Sequence, residues 1–244
     1  MKILALDAGN TRIKWGYAEN GRWLRLAWVA TAEAQTLGDA LRGVPIADRA
    51  IISNVAGDDV GRALTAALAG AYAAPLWARS RAHQCGVRSG YDHPQQLGSD
   101  RWAALIGAWH LFRGPCVVVN VGTTMTVDAL TGEGLFVGGC IVPGLDLMRE
   151  ALAHKTAQLT GAPGVFAYFP ARTADAITSG AINALAGGVD RMARYLSETG
   201  GTDALVVLSG GGSETLAPHL NGRVELVDNL VLEGLARIAQ DDGG

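Results

Sequence analysis

The chain has 244 residues, a formal net charge of −3, 49% apolar and 18% charged residues. That balance predicts a sizeable core, one large domain or two small ones, and excludes an intrinsically disordered chain. No basic block supports a nucleic-acid partner, no apolar run approaches the ~20 residues of a membrane helix, and Met1–Asp7 leads into a strand rather than a signal peptide.

Cys85, Cys116 and Cys140 lie far apart. They match neither a disulfide framework nor a zinc spacing, and are expected as small core residues of a cytoplasmic chain. The histidines show no metal spacing either.

In chain order, residues 2–7 read as a buried strand and 11–18 as its hairpin partner. Asn20-Gly21 is a two-residue hairpin turn that leads into a third strand, 22–30. A helix is expected at 33–42. A fourth strand, 49–55, ends in small polar residues, and Asp58 or Asp59 then caps a helix carrying Val60, Leu64, Leu68 and Ala71. Ser99 reads as the N-cap of a helix whose apolar face is Trp102, Leu105, Ile106, Trp109 and Phe112.

From Cys116 the order repeats. A strand runs to Val121, its partner from Thr124 to Ala129, and a third from Leu135 to Ile141 after the turn Thr131-Gly132-Glu133-Gly134. Helices at 144–154 and 174–198 precede a strand, 204–209, that runs into Gly210-Gly211-Gly212. A short helix at 213–216 and a last one at 229–240 complete the pattern. The repeat predicts an α/β chain with lobes 1–113 and 114–244, the last helix packing back toward a cleft. The break falls at Phe112-Arg113-Gly114-Pro115, a helix stop before a strand start.

Each half opens with an apolar strand, a polar residue and a small-residue turn: Asp7-Ala8-Gly9-Asn10-Thr11 and Asn120-Val121-Gly122-Thr123-Thr124. Gly9 permits φ > 0, which would turn backbone N–H groups toward an anion. Asp7 suits a hydrated Mg²⁺. Lys14, on the same strand face as Arg12, could reach the transferred phosphoryl group. Gly122-Thr123-Thr124 would supply further phosphate donors. Gly210-Gly211-Gly212 lets backbone approach a flat ligand such as adenosine, without the dinucleotide fingerprint or a P-loop.

Tyr91-Asp92-His93-Pro94-Gln95-Gln96-Leu97-Gly98-Ser99-Asp100-Arg101 is the most specific stretch. Asp100 in a first helical turn stays ionised and can take a hydroxyl proton, while Arg101 can grip a carboxylate or phosphate. The same residues also suit a plain helix start. Three further readings stay open. Asp128 faces the cleft or caps the next turn. Gly138-Gly139…Pro143-Gly144 lines a pocket or is a connector. Thr178 contacts a ligand or bonds its own helix. The segment 154–170 is a plausible mobile loop.

Taken in order, Asp7-Ala8-Gly9-Asn10-Thr11, Tyr91…Gly98-Ser99-Asp100-Arg101, Gly122-Thr123-Thr124, Gly138-Gly139…Pro143-Gly144 and Thr178 resemble the type III pantothenate kinase family. The resemblance implies a duplicated ribonuclease H-like fold of the actin/sugar kinase/heat-shock ATPase superfold, two lobes around a nucleotide cleft. It implies ATP-dependent phosphorylation of pantothenate, the first step of coenzyme A synthesis, by a cytoplasmic homodimer using Mg²⁺ and K⁺ or NH₄⁺. ATP would be held by Asp7, Ala8, Gly9, Asn10, Thr11, Arg12, Ile13, Lys14, Thr123, Gly210 and Gly211. Pantothenate would be held by Tyr91, Gly98, Ser99, Asp100, Arg101, Gly139 and Thr178, with Asp100 as the proton acceptor. Asp7 would hold Mg²⁺ through water. Asn120 stands where the family carries the Asp that binds the monovalent cation, so weak or absent K⁺ activation is expected. The rival expectations are a kinase of another small hydroxyl compound on the same superfold and a regulator like the Bvg accessory factors.

Overall fold

The structure, a computed structural model, describes residues 1–72, 74–155, 162–200 and 203–241. The first strands are β1 (Lys2–Ala8), β2 (Arg12–Glu19) and β3 (Arg22–Ala30), followed by a 3₁₀ turn at Thr31–Thr36 and the short α1 (Leu37–Ala40). Then come β4 (Arg49–Asn54), α2 (Asp58–Leu68), β5 (Leu76–Trp77), β6 (His83–Gln84), β7 (Val87–Ser89) and α3 (Ser99–Phe112). The second half holds β8 (Cys116–Val121), β9 (Thr124–Leu130), β10 (Leu135–Pro143), α4 (Leu145–Lys155) and α5 (Thr173–Gly200). It closes with β11 (Leu205–Ser209), α6 (Ser213–Leu216), β12 (Val224–Leu226) and α7 (Leu230–Asp241).

The chain divides into two compact units, Met1–Arg113 with Asn229–Gly244, and Gly114–Asp228. In the first, strands run β3-β2-β1-β4-β5. The β1–β2 and β2–β3 pairs are antiparallel, whereas β1–β4 and β4–β5 are parallel. In the second, β10-β9-β8-β11-β12 repeats that order and those directions. The duplication legible in the residues is therefore a duplication of topology.

Local chemistry explains the hairpins. Asn20 and Gly21 sit at φ 53° and 79°, the left-handed pair that a tight β2–β3 turn requires. Cys85 and Gly86 do the same between β6 and β7, at φ 52° and 84°. Sequence reading did not find β5, β6 or β7, because two- and three-residue strands carry no periodic signal. It also placed all three cysteines in the core. Only Cys116 is there, with its thiol pushed up to about 12 by burial, while Cys140 is half-buried and Cys85 is a turn residue. The helix expected at 33–42 is instead a 3₁₀ turn followed by one short α-turn.

In the first unit one sheet face carries Leu4, Leu6, Ala8, Ile13, Trp15, Tyr17 and Ile52, packed against Leu37, Leu64 and Leu68 of α1 and α2. The opposite face, with Ile3, Ala5, Asp7, Lys14 and Ser53 in register, is covered by α3 and α7. These two helices pack closely because both contribute glycine at the crossing. A Cβ on Gly107 would lie 2.6 Å from the Leu230 carbonyl oxygen, and one on Gly234 would collide with the Ala103 carbonyl. The last helix, assigned to the second lobe on sequence, thus groups with the first unit. Helix periodicity names a buried face but not its partner.

Two expected caps are also displaced. Gly57 (φ 95°) precedes α2 and Gly98 precedes α3, so Asp58 and Ser99 are first-turn residues rather than caps. Helix α3 is apolar nearly all round, Arg101 through Ala108 being buried, not merely along one stripe. In the second unit Val117, Val119, Val127, Leu185, Val189 and Leu208 form the core between the sheet and α5.

Candidate active site

The first turn of the chain is built on β1. Asp7 pairs with Lys14 across the β1–β2 ladder and with Ser53 across the parallel β1–β4 ladder. Strand alternation puts all three side chains on the face toward α3. The Ser53 hydroxyl lies 2.9 Å from Ser99 Oγ at the start of that helix, which ties its N-terminus to the sheet. Asp100 follows in the first turn, with Oδ1 within 2.5 Å of where a Gly98 Cβ would stand. A side chain at 98 would therefore displace the carboxylate, and glycine is required for its placement.

Asp7 is the electrostatic centre of this group. Its Oδ1 is buried and has no hydrogen-bond partner. Burial pushes its carboxyl up to about 7, the Asp100 charge adds to the rise, and Lys14 and a Ser53 hydrogen bond oppose it. A neighbouring carboxylate and a neighbouring lysine thus act on Asp7 in opposite directions, and its buried oxygen wants a cation or a donor. Asp7 through water, together with nucleotide phosphates, fits a hydrated Mg²⁺, which keeps most of its waters. Among the described residues no group of three or more His, Cys, Asp or Glu side chains gathers to hold a metal by itself.

The turn itself differs from the sequence reading. Gly9 does not adopt a positive φ, and its N–H closes the turn on the Arg12 carbonyl at 3.1 Å instead of facing a ligand. Thr31 then pins the turn twice, N–H to Thr11 O at 3.0 Å and Oγ1 to Gly9 O at 2.7 Å. Asn10 is left exposed at the tip. Ala8 and Ile13, expected to touch ATP, bury their side chains completely in the core, so only their backbone is available to a ligand. Arg12 stacks on Trp28, 4.3 Å from its ring.

The second unit assembles an equivalent turn from three glycine segments. Gly122 N–H bonds Thr124 O at 3.0 Å, and Gly144 N–H bonds Thr123 O at 2.8 Å, the counterpart of the Thr31–Thr11 bond. From the other side Gly212 N–H bonds Val121 O at 3.0 Å. A Cβ on Gly144 would collide with the Gly122 carbonyl, and one on Gly210 (φ 98°) would collide with Val121 O and lie 2.6 Å from Asn120 Oδ1. Gly138 and Gly139 lie within β10, which bulges between Phe136 and Gly138, and Gly139 is exposed. Asn120 pairs with Ser209 as Asp7 pairs with Ser53.

Asp128 lies within β9, opposite Val118 and Gly139, and is buried. It therefore does not cap the following turn, since the strand runs two residues further. Arg101 is buried in α3, and the Tyr91 N–H bonds Ser89 Oγ at 3.3 Å. Thr178 is buried in α5 and accepts the Gly164 N–H at 3.2 Å. Of the expected loop 154–170, residues 154 and 155 end α4 and residues 156–161 lie outside the described residues.

The structure thus brings Asp7, Lys14, Gly98, Ser99 and Asp100 together in one unit. It gathers Asn120, Gly122, Thr123, Gly144, Gly210 and Gly212 in the other. Ser53 and Thr31 escaped sequence reading. Ser53 had a signal in the small polar residues that end its strand, whereas Thr31 had none.

Residues 3–195 match the profile of the type III pantothenate kinase family. The chain is 49% identical to the type III pantothenate kinase of Aromatoleum aromaticum over 240 residues, 98% of each chain. It is 46% identical to that of Nitrosospira multiformis, over 98% of this chain and 91% of the relative.

The chain belongs to the type III pantothenate kinase family.

Solved structures agree at the level of fold. A ROK family glucokinase from Streptomyces griseus, solved with glucose and AMPPNP, superposes with a TM-score of 0.53 at 14% identity over the whole of both chains. A Baf family protein from Campylobacter jejuni, named as a transcriptional activator, superposes with a TM-score of 0.64 at 17% identity over 98% of each chain. At such identities both likenesses show the duplicated α/β fold alone, and the second transfers no regulatory role.

Proposed function

We propose that this family member transfers the γ-phosphoryl group of ATP to the primary hydroxyl of pantothenate, giving 4′-phosphopantothenate for coenzyme A synthesis. The observation that carries the reading is the arrangement of Asp100 at the start of α3 against Asp7, Lys14 and Ser53. Family membership over most of the chain names the acceptor.

In this reading Asp100 takes the hydroxyl proton. A carboxylate one hydrogen bond from the hydroxyl can act as base without further activation. Lys14 offers a cation to the charge that develops on the moving phosphoryl group. Asp7 would hold Mg²⁺ through water, and the bound ion supplies charge neutralisation along the ATP phosphates. The exposed tip of the first turn, with Thr123 and the Gly210-Gly211 backbone, gives nucleotide contacts. Tyr91, Gly98, Ser99, Arg101, Gly139 and Thr178 hold pantothenate, and Arg101 is the cation suited to its carboxylate. Most of the acceleration then comes from positioning and electrostatics. We further place the enzyme in the cytoplasm, as a homodimer, with little need for K⁺.

Incubation of the purified protein with ATP, Mg²⁺ and pantothenate is expected to yield equimolar ADP and phosphopantothenate, with no comparable ADP release on sugars or acetate. Absence of phosphopantothenate in K⁺, NH₄⁺ and Na⁺ buffers alike would overturn the reading.

A further inference from the structure

Helical hydroxyls in this chain have a habit. Thr65, Ser197 and Thr199 each give their proton to the carbonyl four residues back, at 2.8 to 2.9 Å. This is the usual fate of Ser and Thr inside a helix. Thr178 and Ser179, in the second turn of α5, do not follow it. They accept instead, from a backbone strap that lies along the helix.

The strap runs from Gly164 to Ala167. Gly164 N–H donates to Thr178 Oγ1 at 3.2 Å, Val165 N–H to Asp175 Oδ1 at 2.9 Å and Ala167 N–H to Ser179 Oγ at 3.0 Å. The three acceptors stand at i, i+3 and i+4, on one helix face, and all three are buried. Arg172 Nε holds the other carboxylate oxygen of Asp175 at 2.9 Å. The approach is close enough that a Cβ on Gly164 would collide with the Ala174 carbonyl.

A hydroxyl has one proton to give and two lone pairs to receive. On Thr178 the Gly164 N–H occupies a lone pair, which restricts where the proton can point. Among the described residues nothing takes that proton. A buried hydroxyl whose proton finds no acceptor is unfavourable, so this geometry suits a site that a ligand oxygen completes. Pantothenate carries such oxygens in its carboxylate and its amide carbonyl.

We infer that the 164–167 strap is a positioning element: through Gly164 it presents the Thr178 proton to an acceptor oxygen of the alcohol substrate, and Asp175 and Ser179 hold the strap in register. The inference rests on the proposed function and deepens it, since it assigns positioning roles to Gly164, Asp175 and Ser179.

The test is steady-state kinetics on the full chain with Ser179→Ala, Asp175→Asn, Gly164→Ala, Thr178→Val and Thr178→Ser, each checked for an unaltered thermal transition. Ser179→Ala is the mildest and keeps the test open if Gly164→Ala fails to fold. The strap variants and Thr178→Val are expected to raise the KM for pantothenate by about 3- to 10-fold, the worth of one hydrogen bond. Their kcat and KM for ATP stay within about twofold, and Thr178→Ser retains the parent values. Ser179→Ala combined with Thr178→Val should add little beyond Thr178→Val alone, because both act through one hydroxyl. Unchanged pantothenate KM in the strap variants while Thr178→Val raises it would overturn the positioning role. So would a uniform fall in kcat with a lowered thermal transition. An unaltered KM in Thr178→Val would remove the contact itself yet leave the enzyme's activity standing. Failure of the parent protein to phosphorylate pantothenate would instead refute the functional reading, and this inference with it.

Discussion

Asp7 lies close enough to both the Asp100 carboxylate and the Lys14 cation to feel each of them, and the two carboxylates occupy different settings. Asp100 sits at a helix N-terminus, whereas Asp7 has a buried oxygen with no partner and a carboxyl pushed up to about 7. Asp100→Asn is expected to lower kcat by at least ~10²-fold, the low end for a general base. Initial rates at saturating ATP and pantothenate check this, and near-parental turnover would remove Asp100 from the base role. Asp7→Asn tests the other carboxylate through stability. A carboxyl whose folded value lies above its unfolded 3.8 favours the folded state when protonated. That contribution is complete below about 4 and is lost as pH rises through about 7. Urea unfolding with chelator and without nucleotide should therefore find Asp7→Asn more stable than the parent by about 4 kcal/mol at pH 8, the gap closing toward pH 4. The same variant should lose activity. Equal midpoints at both pH values would show that Asp7 carries no burial penalty.

At the scale of elements, the helix that carries Asp100 is positioned by a neighbour from the far end of the chain. Helix α3 is set on the sheet by Ser53 at its start and by the glycine crossing with α7 along its length. Two further bonds reinforce α7. Trp23 Nε1 donates to Glu233 Oε1 at 2.5 Å, and Arg49 Nη1 to the Ala239 carbonyl at 2.9 Å. Gly234→Ala inserts a methyl against the Ala103 carbonyl and must push the helices apart, an overpacking cost of roughly 1–3 kcal/mol. Thermal unfolding should show the loss, and kcat should fall with it because Asp100 moves with α3. An unchanged melting temperature would mean the crossing relaxes freely. The turns are likewise set by partners distant in sequence, Thr31 on the first and Gly144 with Gly212 on the second.

At the scale of the molecule, the two units share one topology but not one chemistry. The pair Asp7–Ser53 of the first becomes Asn120–Ser209 in the second, and the carboxylate is exchanged for an amide. An amide oxygen can ligate a cation but adds no charge to attract it. Turnover in buffer with a bulky organic cation is expected to rise less than about twofold on adding K⁺, since a neutral oxygen gains little from a weakly held monovalent ion. A steep K⁺ dependence would show that other oxygens complete the site.

By itself the sequence determined the duplicated α/β plan, the two turns, the Asn20-Gly21 hairpin and the candidate residues Asp7, Lys14, Asp100 and Thr178, because strand length, glycine placement and helix starts are local signals. It erred where the deciding partner is remote. Helix α7 carries an apolar face that could pack in either unit, and only the glycine crossing with α3 assigned it. Gly9 looked free to adopt a positive φ until Arg12 and Thr31 closed its turn. Ser99 looked like a cap until Ser53 and Gly98 took their places beside it. Thr31 and the strap that holds Thr178 carried no pattern, since a hydrogen bond between residues distant in the chain leaves no periodicity. Tertiary structure alone decided which polar atoms meet, and with them that one buried oxygen of Asp7 is left without a hydrogen bond.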